Sequence, residues 1–375
     1  MKSAITIGAN ISKLRKDAHL TQDDLATYLG VTKASVSKWE TGQSYPDIEL
    51  LPKIATHFNT TVDALIGYEP QLDKASIRRE CARLRTAFAT EPFEQAHAQC
   101  QELVRDYYSC YPLLAQIAAL YLNHMNLVEG PERGALADEA VELCRRIKRN
   151  SESSADIKQA EGTEACILLA MGNPQAAADL LEQTAEPDPG LDILLANAYG
   201  ALGRADDADS ALQGALFQGI ILSLNRLSQM ALLHAADPGK LDTIHERAHA
   251  LIDAFDLEGL FLNTPAIHLS FAAAYLMSGN APSALDCLDD YERSCRALKF
   301  PLALHGDDFF DRIETYTEDF NVTGTDAPRD EALIKKSMVE SVAANPLFAP
   351  LAGDARFKRV VASLEEIART NRACY

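Results

Sequence analysis

Two short stretches of this 375-residue chain hold side chains whose types and spacing could do chemistry. In residues 32–41, TKASVSKWET, the residues Lys33, Ala34, Ser35, Ser37 and Lys38 form a face that is short, polar or basic, and free of bulk. Such a face fits the major groove of duplex DNA, where a lysine donates to guanine O6 and N7. The second stretch is His245-Glu246-Arg247-Ala248-His249, a literal HExxH. Two imidazoles one helical turn apart can bind zinc beside a glutamate that acts as general base.

The surroundings favour the first stretch over the second. Around HExxH the sequence reads as amphipathic helix through Leu241, Ile244, Ala248, Leu251 and Phe255. Arg247 would set a cation beside the metal, and the longer HExxHxxGxxH form fails at Ile252 and Phe255. Glu258 could serve as third ligand only without support from spacing. The expectation is therefore no metal, no cofactor and no enzyme. A zinc peptidase built on His245, Glu246 and His249 is the alternative. No glycine-rich phosphate loop and no GxSxG elbow occur elsewhere.

What positions the first face is a helix-turn-helix pattern over residues 21–41. Thr21 is a candidate N-cap, with Asp23 and Asp24 at the positive end of the helix dipole. Leu25, Ala26 and Leu29 form an apolar stripe, and Gly30 supplies the left-handed turn that ends the helix. Thr32 caps a second helix, whose Val36 and Trp39 face inward. Residues 7–18 form a first helix with Ile7, Ile11 and Leu14 on one side. Asp47 caps a fourth helix through Leu50, Leu51, Ile54 and Phe58, and Thr61 caps a fifth that stops at Gly67. A hinge follows near Pro70.

Gln22, Leu25, Ala26, Gly30, Val31, Val36, Trp39, Glu40 and Gly42 stand at the spacing of the Cro and lambda-repressor type of DNA-binding domain, the XRE family, which residues 7–67 resemble. The resemblance implies a five-helix domain in which Gln22 lies near the DNA backbone and braces a base contact. It places Lys33, Ala34 and Lys38 at base-reading positions and Thr32, Ser35 and Thr41 at phosphate contacts, Thr41 replacing the more usual Asn. It also makes Arg15 and Glu40 a buried ion pair between the first and third helices.

Beyond residue 72 the sequence is helical and repetitive. Ala196, Tyr199, Gly203, Ala208 and Leu212 recur in spacing as Ala272, Tyr275, Gly279, Ala284 and Leu288. Ala165, Leu168, Gly172, Ala177 and Leu181 give a third copy, with Pro189 where it breaks off, and Ala118 and Tyr121 begin a looser one. Small residues are needed where paired helices cross, and a glycine at the turn. These copies resemble tetratricopeptide (TPR) repeats, which implies a solenoid with a concave groove, and places Asn197 on the groove side as a peptide-binding residue. The tail phrase NPLFAPLAGDARFKRVV, with Phe348 and Phe357, closes the last helix pair.

The expected architecture is all-α: residues 1–70 as an XRE-type domain and residues 71–375 as a TPR-like array. Charge is consistent with that division. Residues 1–70 carry seven Lys/Arg against eight Asp/Glu, a net −1, whereas the rest carry 28 against 46, a net −18. DNA contact must use a local basic face of Lys13, Lys16, Lys33 and Lys38, and the acidic remainder repels duplex. Eight scattered cysteines without CxxC suit a reducing cytoplasm, and no apolar run is long enough for a membrane span. The whole reads as a cytoplasmic, homodimeric transcription regulator. It binds an inverted-repeat operator and senses a peptide, small molecule or protein through its array. An antitoxin-like or scaffold protein holding a protein partner is the other alternative.

Overall fold

The computed structural model describes residues 6–68, 71–182, 190–260, 262–320, 325, 327 and 329–369. Among the described residues the chain is all-α, with helices joined by turns and only an isolated bridge at Ala303. It divides into two compact units: Met1–Asp73 with Gln101–Leu114, and Lys74–Cys100 with Ala115–Tyr375. Pro70 and Pro189 lie outside the described residues.

The first unit holds α1 (Ile7–Asp17), α2 (Gln22–Leu29), α3 (Lys33–Glu40), α4 (Leu51–His57) and α5 (Val62–Ile66). The expected fourth helix is split: Asp47 caps a short 3₁₀ turn, Ile48–Leu50, and α4 starts after it with Pro52 in its first turn. Ile7, Ile11, Leu25, Ala26, Leu29, Val36, Trp39, Ile54, Ala55 and Leu65 make one core. Gly8 sets the distance between α1 and α3, since a Cβ there would lie 2.1 Å from the Trp39 carbonyl oxygen.

The helices of the rest of the chain are α6 (Lys74–Thr90), α7 (Phe93–Asp106), α8 (Tyr111–His124), α9 (Gly130–Asn150), α10 (Ser154–Ala170), α11 (Pro174–Leu181), α12 (Leu191–Ala201), α13 (Ala205–Leu233), α14 (Pro238–Ala254), α15 (Thr264–Met277), α16 (Ala281–Ala297), α17 (Ile313–Phe320), α18 (Glu331–Ala343) and α19 (Ala355–Arg369). The repeat spacing maps onto helical hairpins, α10–α11, α12–α13 and α15–α16, whose turns carry Gly172, Gly203 and Gly279 at positive φ.

The copies are unequal in packing. In α15–α16 the small and large positions Ala272, Tyr275, Ala284 and Leu288 are all buried, within a core shared with Phe271, Tyr291, Phe310, Phe348 and Phe357. Of the equivalent positions in α12–α13, Ala196 is buried, Tyr199 and Ala208 are half-buried, and Leu212 is exposed. α13 runs for 29 residues, far longer than one arm of a repeat, and packs against α12, α14, α15 and α17. Gly214 on α13 lets the Tyr316 ring of α17 lie against the backbone.

Candidate nucleic-acid interface

The local sequence of the helix-turn-helix fixes each end of its two helices. Thr21 Oγ1 accepts from the Asp24 amide at 3.2 Å, and the Thr21 amide donates to Asp24 Oδ2 at 2.9 Å, a reciprocal cap. The Thr21 hydroxyl, which donates to Asp24 Oδ2 at 2.6 Å, and then the Thr21 amide hold the exposed Asp24 carboxyl below its ordinary range. Gly30 closes α2 at φ 71°, and the Val31 amide donates to the Ala26 carbonyl at 3.0 Å. Thr32 then caps α3, its Oγ1 accepting from the Ser35 amide at 3.2 Å.

Beneath α3, Val36 and Trp39 are buried, and the end of the helix is tied back to α1. Arg15 Nε and Nη2 donate to the two oxygens of Glu40 at 2.6 and 3.0 Å, with both side chains mostly covered. Arg15 Nη1 also donates to the Leu20 carbonyl at 2.6 Å, and Gln22 Nε2 donates to Glu40 Oε2 at 2.9 Å. Burial pushes the Glu40 carboxyl up, but the bonds from Arg15 and Gln22 outweigh it and hold the group below its ordinary range. The pair pins three segments at one point: α1, the start of α2 and the end of α3.

Of the residues singled out from sequence, Thr32, Lys33, Ala34, Lys38 and Thr41 are exposed, and Ser35 is half-buried. Among the described residues neither Lys33 nor Lys38 is held by a carboxylate, so both ammonium groups are available to an acceptor. The hydroxyls are more committed. Thr32 and Ser35 oxygens lie 2.8 Å apart, and Thr41 Oγ1 donates to the Ser37 carbonyl at 2.9 Å. Gln22 is engaged with Glu40, a bond that sequence spacing alone did not show. α3 therefore presents two free lysines around Ala34, on a helix fixed at both ends.

In HExxH the two imidazoles are in edge contact, with ring centroids 4.4 Å apart. Tyr275 donates its hydroxyl proton to Asp242 Oδ1 at 2.8 Å, so its oxygen accepts from His245 Nδ1 at 3.2 Å. Cys287 Sγ lies 3.5 Å from His245 Nε2. Both nitrogens of His245 are thus engaged, burial pushes its pKa down to about 4, and Glu246 is exposed. Asn197 is also exposed, on α12.

A separate cavity of about 560 Å³ opens in the second unit. Phe217, Ile221, Leu269, Leu304 and Ile334 give it an apolar wall, and Arg329 supplies a cation. Arg329 Nη1 donates to Ser337 Oγ at 3.0 Å, its Nε is buried without a partner, and burial lowers its pKa. Asn197 does not line this cavity.

A helix-turn-helix family model matches residues 11–65. Over 59 residues the chain is 41% identical to the HTH-type transcriptional activator BcrR of Enterococcus faecalis, which covers 16% of this chain and 29% of BcrR. It is 36% identical over 67 residues to the antitoxin PezA of Streptococcus pneumoniae, covering 18% of this chain and 42% of PezA. It is 34% identical over 65 residues to the HTH-type transcriptional regulator AnsR of Bacillus subtilis, covering 17% and 56%. The match thus spans about half or less of these relatives. Among solved structures, the apo form of ComR from S. thermophilus aligns with 79% of this chain and 95% of its own at 15% identity and a TM-score of 0.29. PlcR of Bacillus thuringiensis, in complex with the peptide PapR7 and DNA, aligns with 68% and 96% at 14% identity and a TM-score of 0.26.

Proposed function

We propose that this chain, whose residues 11–65 form a helix-turn-helix domain of the Cro and lambda-repressor type, is a transcription regulator that reads an operator with α3. The observation that carries the reading is the exposed Lys33–Ala34–Lys38 face on a helix capped by Thr32 and anchored by Arg15 and Glu40. Lys33 and Lys38 donate to base edges, and Ala34 lets the helix approach closely. Gln22, Thr32, Ser35 and Thr41 lie at the backbone, and residues 1–70 are the DNA-binding part.

Residues 71–375 supply dimerisation and sensing. Leu191, Leu194 and Leu195 of α12, with Leu202 just past its end, leave an apolar stripe, 44–70% exposed at each residue. A second copy of this chain is the occupant that suits it, because a reading unit of net charge −1 gains affinity by engaging two half-sites. The 560 Å³ cavity is of a size that takes a peptide segment or small molecule, and Arg329 favours one that carries a carboxylate. Such a regulator works in the cytoplasm. Among the described residues no helix is long and apolar enough to cross a membrane.

Selection of the full-length protein on a randomised duplex library tests the reading. The expected product is an inverted repeat with half-site centres about one DNA turn, roughly 34 Å, apart. Failure to enrich any sequence would contradict DNA reading, and a lone half-site would contradict the dimer.

A further inference from the structure

Three helices of the second unit bring together donors that the HExxH pattern does not predict. His249 of α14, His268 of α15 and Asp290 of α16 each offer one ligand atom, and these atoms all lie within 4.8 Å of one another. We propose that they form a binding site for a divalent transition ion of the zinc class, with two imidazoles and one carboxylate as protein ligands. The site is independent of the DNA-reading proposal.

Hydrogen bonding carries the argument. His268 is 1% exposed, and its Nε2 lies 3.0 Å from Glu258 Oε1, a carboxylate that therefore holds the proton on Nε2. Ser294 Oγ donates to the other Glu258 oxygen at 2.5 Å and fixes that carboxylate in place. The nitrogen left over, His268 Nδ1, is a buried lone pair with no hydrogen-bond partner. His249 Nε2 is likewise buried and unpartnered, 3.6 Å from Asp290 Oδ2, too far for a hydrogen bond. A buried imidazole in an ordinary core has its nitrogens satisfied. Here two are left unsatisfied in one cluster with a carboxylate, which is the deficit a cation removes.

The surroundings fit a metal in two further ways. A carboxylate on the far nitrogen of a ligating histidine is the usual outer partner, and it both orients the ring and raises its basicity. Glu258, Asp253 and Asp290 set negative charge around the cluster, against Arg293, which holds Asp290 Oδ1 at 2.8 Å. Zinc–nitrogen bonds of about 2.0–2.1 Å imply ligand separations near 3.4 Å, so the three side chains close somewhat on the ion. His249 retains 32% side-chain exposure, so the cluster lies near the surface. His245, one turn away, is already engaged by Tyr275 and Cys287 and takes no part. An ion here would tie α14, α15 and α16 together, so metal supply would set the stability of this part of the chain.

The test uses the full-length protein after dialysis against a chelator, titrated with Co²⁺ and then with Zn²⁺. The expected result is one cobalt per chain with a visible d–d band that zinc abolishes, and a higher melting temperature with zinc. Asp290→Asn and His268→Ala should each weaken binding by at least about tenfold, and Glu258→Gln by about 10–100-fold. Glu246→Gln should bind as the parent does. If His268→Ala fails to fold, the isosteric Asp290→Asn variant, checked by circular dichroism, decides the matter. No cobalt band from the folded parent would overturn the proposal. So would parent-like affinity in Asp290→Asn, or binding that depends on Glu246.

Discussion

Glu40→Ala should disable the DNA-binding domain by destabilising it, though Glu40 is expected to touch no DNA. The substitution removes two charge-assisted bonds to Arg15 and one to Gln22. It also strands a guanidinium whose side chain is only 11% exposed. Breaking a buried pair by deleting one partner costs about 3–5 kcal/mol, and the surviving bond to the Leu20 carbonyl keeps the loss near the lower end. At about 0.05–0.15 kcal/mol per residue, a domain of this size has roughly 3–9 kcal/mol in total, so the variant sits close to unfolding. Removing both charges is different. Arg15→Met with Glu40→Leu should recover most of the loss, because the desolvation cost of both ions disappears with them.

Urea unfolding followed by fluorescence is the assay, and Trp39 suits it as the one tryptophan of the chain, buried in this core. The pH dependence adds a signed check. The Glu40 carboxyl is held below its ordinary range, so its contribution is full above the unfolded carboxyl pKa of about 4.3. It is lost as pH falls through the lower folded value, and the parent should converge on the double variant in acid. Single substitutions costing under about 1 kcal/mol, or a double variant whose cost is the sum of the two, would refute the reasoning.

Three further outcomes follow from the geometry. Gly8→Ala should lower the urea midpoint of the Trp39 transition by the equivalent of about 1–3 kcal/mol, because the new methyl meets the Trp39 carbonyl and must push α1 off α3; a midpoint at or above the parent's would show that α1 shifts freely. Thr32→Ala should cost about 1 kcal/mol on the same assay by uncapping α3. His124 is fully buried, stacked on Phe88, and pushed down to about 4 by burial and by Arg329 and Arg85. Its unfolded value of about 6.5 is higher, so the unfolded chain takes up the proton first; stability should fall by up to about 3 kcal/mol between pH 6.5 and 4 and level off below. Thermal melts of His124→Gln should show a shallower slope by that amount, with His245, also pushed down to about 4 by burial, supplying what remains.

The reading unit was largely legible because its signals are local. Thr21, Gly30, Thr32, Thr61 and Gly67 mark helix ends by their own backbone chemistry, and all five stand at those ends in the structure. Arg15 and Glu40 are 25 residues apart, and only the family pattern pointed to their pairing. The requirement at Gly8 was not readable, since a glycine inside a helix says nothing about which carbonyl will approach it. In the helical array the small-residue and glycine spacing located the hairpins, but not how well each is buried. The same spacing gives a closed pair at Ala272–Leu288 and an open one at Ala196–Leu212, because burial depends on which other helices arrive. HExxH shows the opposite error that a pattern invites. His249 belongs to a cluster assembled from three helices, and no linear motif contains His268 and Asp290.

The measurement that bears most directly on the central claim is Lys33→Ala on the selected operator and on a set of duplexes altered one base pair at a time, at fixed salt. If α3 reads bases, the variant should lose about 1–3 kcal/mol, roughly five- to 150-fold, on the preferred site, and should become indifferent to one base pair in each half-site. A loss of the same size on every duplex, with the preference intact, would mean that Lys33 touches only phosphate and would contradict the assignment of base reading to this face.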